Sequence, residues 1–186
     1  MRIFISGGCK NGKSYHAQRL AKGQQTKALY YIATMRPADP EDDERLARHR
    51  QERLGWGFTT IEQPANIEKI LQKCDRDGSF LLDSLTALLA NEMFLPNGNV
   101  NERAAAKITD GLTQILNSVA NIVVVSDDIY HDAAFYDPLT ESYRQSLAHI
   151  DRSAARICDA VLEVVYTHAV IHSGNEALDA LYKKIR

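Results

Sequence analysis

The stretch "FISGGCKNGKSYHAQRLA", residues 4–21, decides the fold. Gly7, Gly12, Lys13 and Ser14 occupy the fixed places of G-x-x-x-x-G-K-[ST]. "IFIS" before it predicts a strand, and "SYHAQRLAKG" after it predicts an amphipathic helix closing on Gly23. The chemistry requires these residue types. Glycines let the backbone turn so that its N–H groups face phosphate oxygens, and the helix N-terminus adds the positive end of its dipole. In such a loop the lysine reaches the β- and γ-phosphates and the serine hydroxyl ligates Mg2+. A turn that merely joins strand to helix does not need all four positions; together they signal nucleotide binding, and they are silent about the reaction.

Outward from this loop, apolar runs recur at residues 2–6, 28–33, 58–61, 80–83, 122–126, 161–166 and 169–171, each followed by a stretch with helical spacing. Strands rich in Val and Ile alternating with helices predict a doubly wound α/β sheet. The clearest helix is "PLTESYRQSLAHIDRSAARICD", where Tyr143, Leu147, Ile150, Ala154 and Ile157 form a core-facing stripe. "LPNGNVNE", residues 95–102, reads as a polar turn between two helices. With 186 residues, 45% of them hydrophobic, and no repeat or Gly/Ser linker, the expectation is a single nucleotide-binding domain over residues 1–186.

A net charge of -2 supplies no basic excess for nucleic acid as the main partner. No apolar stretch approaches the ~18 residues of a membrane span, and the N-terminus enters a strand after one arginine, without the pattern of a signal peptide. The expected location is the cytoplasm. Cys9, Cys74 and Cys158 form no C-x-x-C, and the six histidines form no H-E-x-x-H, so neither a disulfide frame nor a tightly held transition metal is expected.

A carboxylate that helps hold Mg2+ should end a later strand beside the loop. "SFLLDSLTALL" offers Asp83, with Ser84 placed to cap the next helix, and Asp83 can equally serve as a cap itself. "VVVSDD" offers Asp127 and Asp128 as competitors at another strand end. "DPEDDERLARHRQER", residues 39–53, has the i,i+4 pairs Glu41 with Arg45 and Glu44 with Arg48, the pattern of a solvated helix. The same spacing puts Arg45, His49 and Arg53 on one face. Flanking guanidinium groups disfavour a protonated imidazole and can hold a triphosphate, which suits a covalent phospho- or nucleotidyl-histidine.

The segments "ISGGCKNGKSYHAQRLA", "YYIATM", "DDERLARHRQER" followed by "TTIEQP", and "LLDSLTALLANEMF" resemble, in order, the bifunctional adenosylcobinamide kinase / adenosylcobinamide-phosphate guanylyltransferase family of cobalamin biosynthesis. The resemblance is strong over the first 95 residues. It implies a RecA-like P-loop domain assembled as a homotrimer. It also implies two reactions: phosphorylation of adenosylcobinamide by ATP or GTP, then transfer of GMP from GTP to adenosylcobinamide phosphate through a GMP-histidine intermediate, with release of pyrophosphate. By motif, His49 takes the place of the guanylylated histidine and Lys13 that of the catalytic lysine. Gly7, Gly8, Cys9, Lys10, Asn11, Gly12, Lys13 and Ser14 match the phosphate loop. Thr34, Met35, Arg50, Gln51, Glu52, Arg53, Glu62 and Asp83 match further nucleotide contacts, and Ser14 with Asp83 would hold Mg2+ alongside the nucleotide.

The C-terminal half departs from the family pattern. Asp127, Asp128, Ile129 and Tyr130 stand where the family reads N-E-V-G, and "IHSGNEALDALYKKIR" adds a helix. Asp127 and Asp128 are candidates for the base that activates the acceptor hydroxyl. The competing readings are a P-loop kinase or nucleotidyltransferase for another small molecule, and a nucleotide-binding regulator without turnover; retention of both Lys13 and His49 favours an enzyme.

Overall fold

The computed structural model describes residues 1–37, 47, 51 and 53–185. Along the chain run β1 (Arg2–Ser6), α1 (Lys13–Gly23), β2 (Leu29–Ala33), β3 (Thr59–Glu62), a 3-10 turn (Ile67–Gln72), β4 (Ser79–Asp83), α2 (Leu85–Met93) and α3 (Ala104–Ser118). There follow β5 (Asn121–Val125), α4 (Pro138–Ile157), β6 (Ala160–Val165), β7 (His168–Ser173) and α5 (Asn175–Lys184). The strands form one sheet in the order β3-β2-β4-β5-β1-β6-β7. Each neighbouring pair is parallel except β6 with β7, an antiparallel hairpin at the edge.

Helices on both faces explain why the central strands are near-continuous apolar runs rather than alternating ones. On one face Phe4, Ile32, Phe80, Leu82, Ile122 and Val124 pack beneath α2, α3 and α4. On the other, Ile3, Ile5, Leu81, Val123 and Val125 meet Ala17 and Leu20 of α1 and Leu178 and Leu181 of α5. β3 stands at the opposite edge with Thr59, Thr60 and Glu62 exposed.

The predicted stripe of α4 packs as expected: Leu147, Ile150 and Ala154 are fully buried, and Tyr143 and Ile157 lean on the same core. Asp137 caps this helix by accepting from the N–H groups of Leu139 and Thr140, with Pro138 in its first turn. Ser84 caps α2 as predicted, its hydroxyl accepting from the Ala87 N–H at 3.3 Å. The added C-terminal helix forms as α5 and closes over α1. Residues 95–102 form the expected loop, pinned by a bridge between Phe94 and Val100.

Parallel register brings the carboxyl ends of the strands to one edge, the side on which ligands bind in such sheets. Asp83 lies level with Ala33 on β2 and Val125 on β5, and β5 in turn flanks β1. The phosphate loop after β1 therefore lies between the ends of β5 and β6.

Candidate nucleotide-binding site

Gly7 leaves β1 with φ 150°, and a Cβ there would run into the Val164 carbonyl of β6. The loop then turns through Lys10 at φ 58° and Gly12 at φ 87°, both in the left-handed region. Gly12 is the N-cap of α1 and offers no side-chain cap, which leaves the positive end of the helix to a ligand. The loop is braced from the β6–β7 hairpin. Its two turn residues, Tyr166 and Thr167, have φ 49° and 68°, as a tight hairpin requires. Thr167 N–H donates to the Asn11 carbonyl at 3.2 Å, and the Thr167 carbonyl lies 2.9 Å from His16 Nε2.

Lys13 is only 6% exposed. Its ammonium donates to the Gly8 carbonyl at 2.6 Å and pairs with Asp127 at 2.8 Å. A buried cation requires such compensation. Of the two carboxylate sets open in the sequence, the structure thus brings Asp127 against the loop lysine. Asp128 is joined to the loop as well, its N–H donating to the Gly7 carbonyl at 3.0 Å. Asp83 sits half-buried at the end of β4 and accepts the Tyr31 hydroxyl at 2.7 Å. Burial first, then the Asp83 carboxylate, holds the Tyr31 phenol well above its ordinary range, so it remains a donor.

Gly8, Asn11, Gly12 and Ser14 are half-buried along the loop, while Cys9 and Lys10 are exposed. Thr34 is fully buried; its hydroxyl donates to the Ser84 carbonyl at 2.8 Å and accepts from the Ser84 N–H at 2.7 Å. It steadies the shelf beside Asp83. Met35 is half-buried next to it, and Glu62 is exposed at the end of β3. Arg53 is 8% exposed, with its guanidinium stacked 3.7 Å from the centre of the Tyr31 ring. His49, Arg50 and Glu52 lie outside the described residues; Ala47 and Gln51, the described positions between residues 38 and 52, are helical and exposed.

Several site-building residues carried no motif. Asp151 is 2% exposed on α4, and its Oδ2 accepts the hydroxyls of Ser126 and Tyr130, each at 2.9 Å. Burial pushes the Asp151 carboxyl up to about 7, with Asp128 and Asp127 adding to the rise against the two hydroxyl bonds. Ser126 and Tyr130 bracket Asp127 and Asp128, so Asp151 holds that turn from beneath. Thr86 supports it from the side, its hydroxyl accepting from the Asp127 N–H at 2.9 Å. One signal was present in the sequence: Asp151 falls four residues after Leu147, an acid on the apolar face of α4.

The family described as cobinamide kinase / cobinamide phosphate guanyltransferase matches residues 3–170. The match reaches past the first 95 residues into β7, so the departures at Asp127 to Tyr130 lie inside it. The bifunctional adenosylcobalamin biosynthesis protein CobP of Pseudomonas aeruginosa is 30% identical over 165 residues, covering 87% of this chain and 91% of its own. The bifunctional adenosylcobalamin biosynthesis protein CobU of Escherichia coli is 24% identical over 176 residues, covering 89% of this chain and 96% of its own. Among solved structures, the KaiC-like protein PH0186 of Pyrococcus horikoshii OT3 has a TM-score of 0.50 at 11% identity, covering 92% of this chain and 78% of that one. That likeness concerns the fold alone, which is the RecA-like P-loop arrangement.

Proposed function

The chain belongs to the cobinamide kinase / cobinamide phosphate guanyltransferase family, and from that premise we propose that it phosphorylates adenosylcobinamide with ATP or GTP and then transfers GMP from GTP to the phosphate it has made. The observation that carries this reading is Lys13, buried at the head of α1 and held by Asp127 and the Gly8 carbonyl. When a triphosphate enters the loop, its oxygens join Asp127 and the Gly8 carbonyl around the lysine ammonium, which has three donors, and the N–H groups at the start of α1 meet the remaining charge. Such preorganised donors stabilise the charge that develops as the γ-phosphoryl moves to the acceptor hydroxyl.

The Ser14 hydroxyl and the Asp83 carboxylate are hard oxygen donors, the type that suits Mg2+. Among the described residues Asp83 accepts from Tyr31 through one oxygen and no bond is made by the other, so the residues fit the ion, which would arrive with the nucleotide and neutralise phosphate charge.

For the second reaction His49 is the nucleophile of this proposal. Its nitrogen would attack the α-phosphorus of GTP, pyrophosphate would leave with the electron pair, and the phosphate of the acceptor would then displace histidine from the GMP. Arg50 and Arg53 would face the charge that develops. Arg53 lends support to this arrangement because its stacking on Tyr31 ties the chain just beyond His49 to the shelf that bears Asp83. The proposal extends to a homotrimer acting in the cytoplasm. Among the described residues no helix is long and apolar enough to cross a membrane.

Trapping the adduct tests the reading. Protein incubated with α-labelled GTP and Mg2+, then denatured, should carry acid-labile, alkali-stable label on the peptide containing His49, and His49→Ala should carry none. If GTP binds and the wild-type protein stays unlabelled, transfer through histidine is wrong.

A further inference from the structure

Both carboxylates proposed from the sequence as the base for the acceptor are already engaged. Asp127 neutralises Lys13, and Asp128 Oδ2 lies 2.7 Å from Nδ1 of His131. His131 lies three residues after Asp128, in the loop between β5 and α4, and none of the motifs above includes it.

The imidazole is set in place from several sides. Asp128 is fixed to the phosphate loop through its N–H bond to the Gly7 carbonyl at 3.0 Å. The Tyr130 ring packs against His131 at 4.9 Å between centroids, and the Tyr130 hydroxyl is anchored on Asp151. Arg144, buried on α4, straddles the histidine along the backbone: its Nε donates to the Ile129 carbonyl at 2.9 Å and a terminal nitrogen to Asp132 at 2.8 Å. A surface histidine with a casual ion pair needs none of this scaffolding. The exposures complete the pattern, because the Asp128 side chain is 18% exposed while that of His131 is 75% exposed. The carboxylate faces inward and the imidazole faces solvent at the edge that carries the phosphate loop.

A carboxylate accepting from Nδ1–H fixes the tautomer that leaves the Nε2 lone pair free. We propose that His131, oriented by Asp128, is the general base for the acceptor hydroxyl in the phosphorylation step, an inference that rests on the kinase half of the function proposed above. Nε2 takes the hydroxyl proton as the acceptor oxygen forms its bond to the γ-phosphorus. The bond from that phosphorus to the β,γ-bridging oxygen breaks, its electron pair leaves with the nucleoside diphosphate, and the imidazolium later releases its proton to water. Asp128 stabilises the imidazolium and acts as a positioning residue.

The test compares wild type with His131→Ala and His131→Gln in steady-state phosphorylation of adenosylcobinamide by ATP, with ATP affinity measured separately by a fluorescent analogue. General-base catalysis predicts a kcat lower by on the order of 10²-fold in both variants, with ATP affinity and acceptor KM within about twofold and partial recovery of His131→Ala by added imidazole. Melting temperatures equal to wild type exclude misfolding as the cause, and either variant suffices if the other fails to fold. A kcat within about threefold of wild type, or a loss carried by acceptor KM with kcat intact, overturns the assignment while leaving the kinase reading in place. A wild-type protein that binds ATP but does not phosphorylate adenosylcobinamide overturns the kinase reading, and this assignment with it.

Discussion

Asp151→Asn isolates the energetic cost of the carboxylate beneath the Asp127–Asp128 turn. Asp151 is 2% exposed, and its Oδ1 meets no hydrogen-bond donor among the described residues. Burial raises its carboxyl from 3.8 to about 7. The folded state therefore binds a proton that the unfolded chain has already released between these values, and linkage makes stability fall as pH rises through that window. At about 1.4 kcal/mol per pH unit, the cost at pH 8 relative to pH 3 is on the order of 4 kcal/mol, of which about 3 kcal/mol accrues above pH 5. Asparagine keeps the shape and an acceptor for Ser126 and Tyr130 but cannot ionise. Urea unfolding of both proteins, followed by circular dichroism at one protein concentration from pH 5 to pH 8, should show the variant gaining on wild type by about 3 kcal/mol. Other titrating groups are common to both chains and cancel in the difference. Parallel curves, or a variant that loses ground as pH rises, would refute the picture of a buried, ionisation-resistant Asp151.

Other substitutions probe the loop and its supports. Gly7→Ala drives a methyl group into the Val164 carbonyl at a position with φ 150°, and should lower stability by about 1–3 kcal/mol in denaturant unfolding. Lys13→Met removes the ammonium held by Asp127 and should reduce phosphorylation kcat by about 10²-fold or more in a coupled assay while the protein still folds. Arg53→Gln removes the cation stacked on Tyr31 and should cost about 1–2 kcal/mol in chemical denaturation, whereas a change below a few tenths would show that the stacking contributes little.

The parallel sheet was legible because each central strand carries its own apolar run, and the loop because its four residues sit at fixed spacing between strand and helix. Capping by Ser84 was legible for the same local reason. Which carboxylate pairs with Lys13 was not, since it depends on strand order: β5, remote in sequence, lies next to β1, whereas β4 lies one strand further out. Asp151 and Arg144 stayed hidden because contacts across many residues give them meaning. Asp151 meets Ser126 from 25 residues away, and Arg144 reaches back to Ile129 from α4. The resemblance supplied what spacing could not, an order of motifs that implies a place for His49 among nucleotide contacts.

One double-label experiment tests the two-step function most directly. The protein is given adenosylcobinamide, Mg2+ and GTP labelled at both the α- and γ-phosphates, and the corrinoid products are separated and identified by mass. Phosphorylation followed by GMP transfer predicts adenosylcobinamide phosphate carrying only the γ-label, followed by adenosylcobinamide-GDP carrying both. Corrinoid that gains neither label from GTP that demonstrably binds would contradict it.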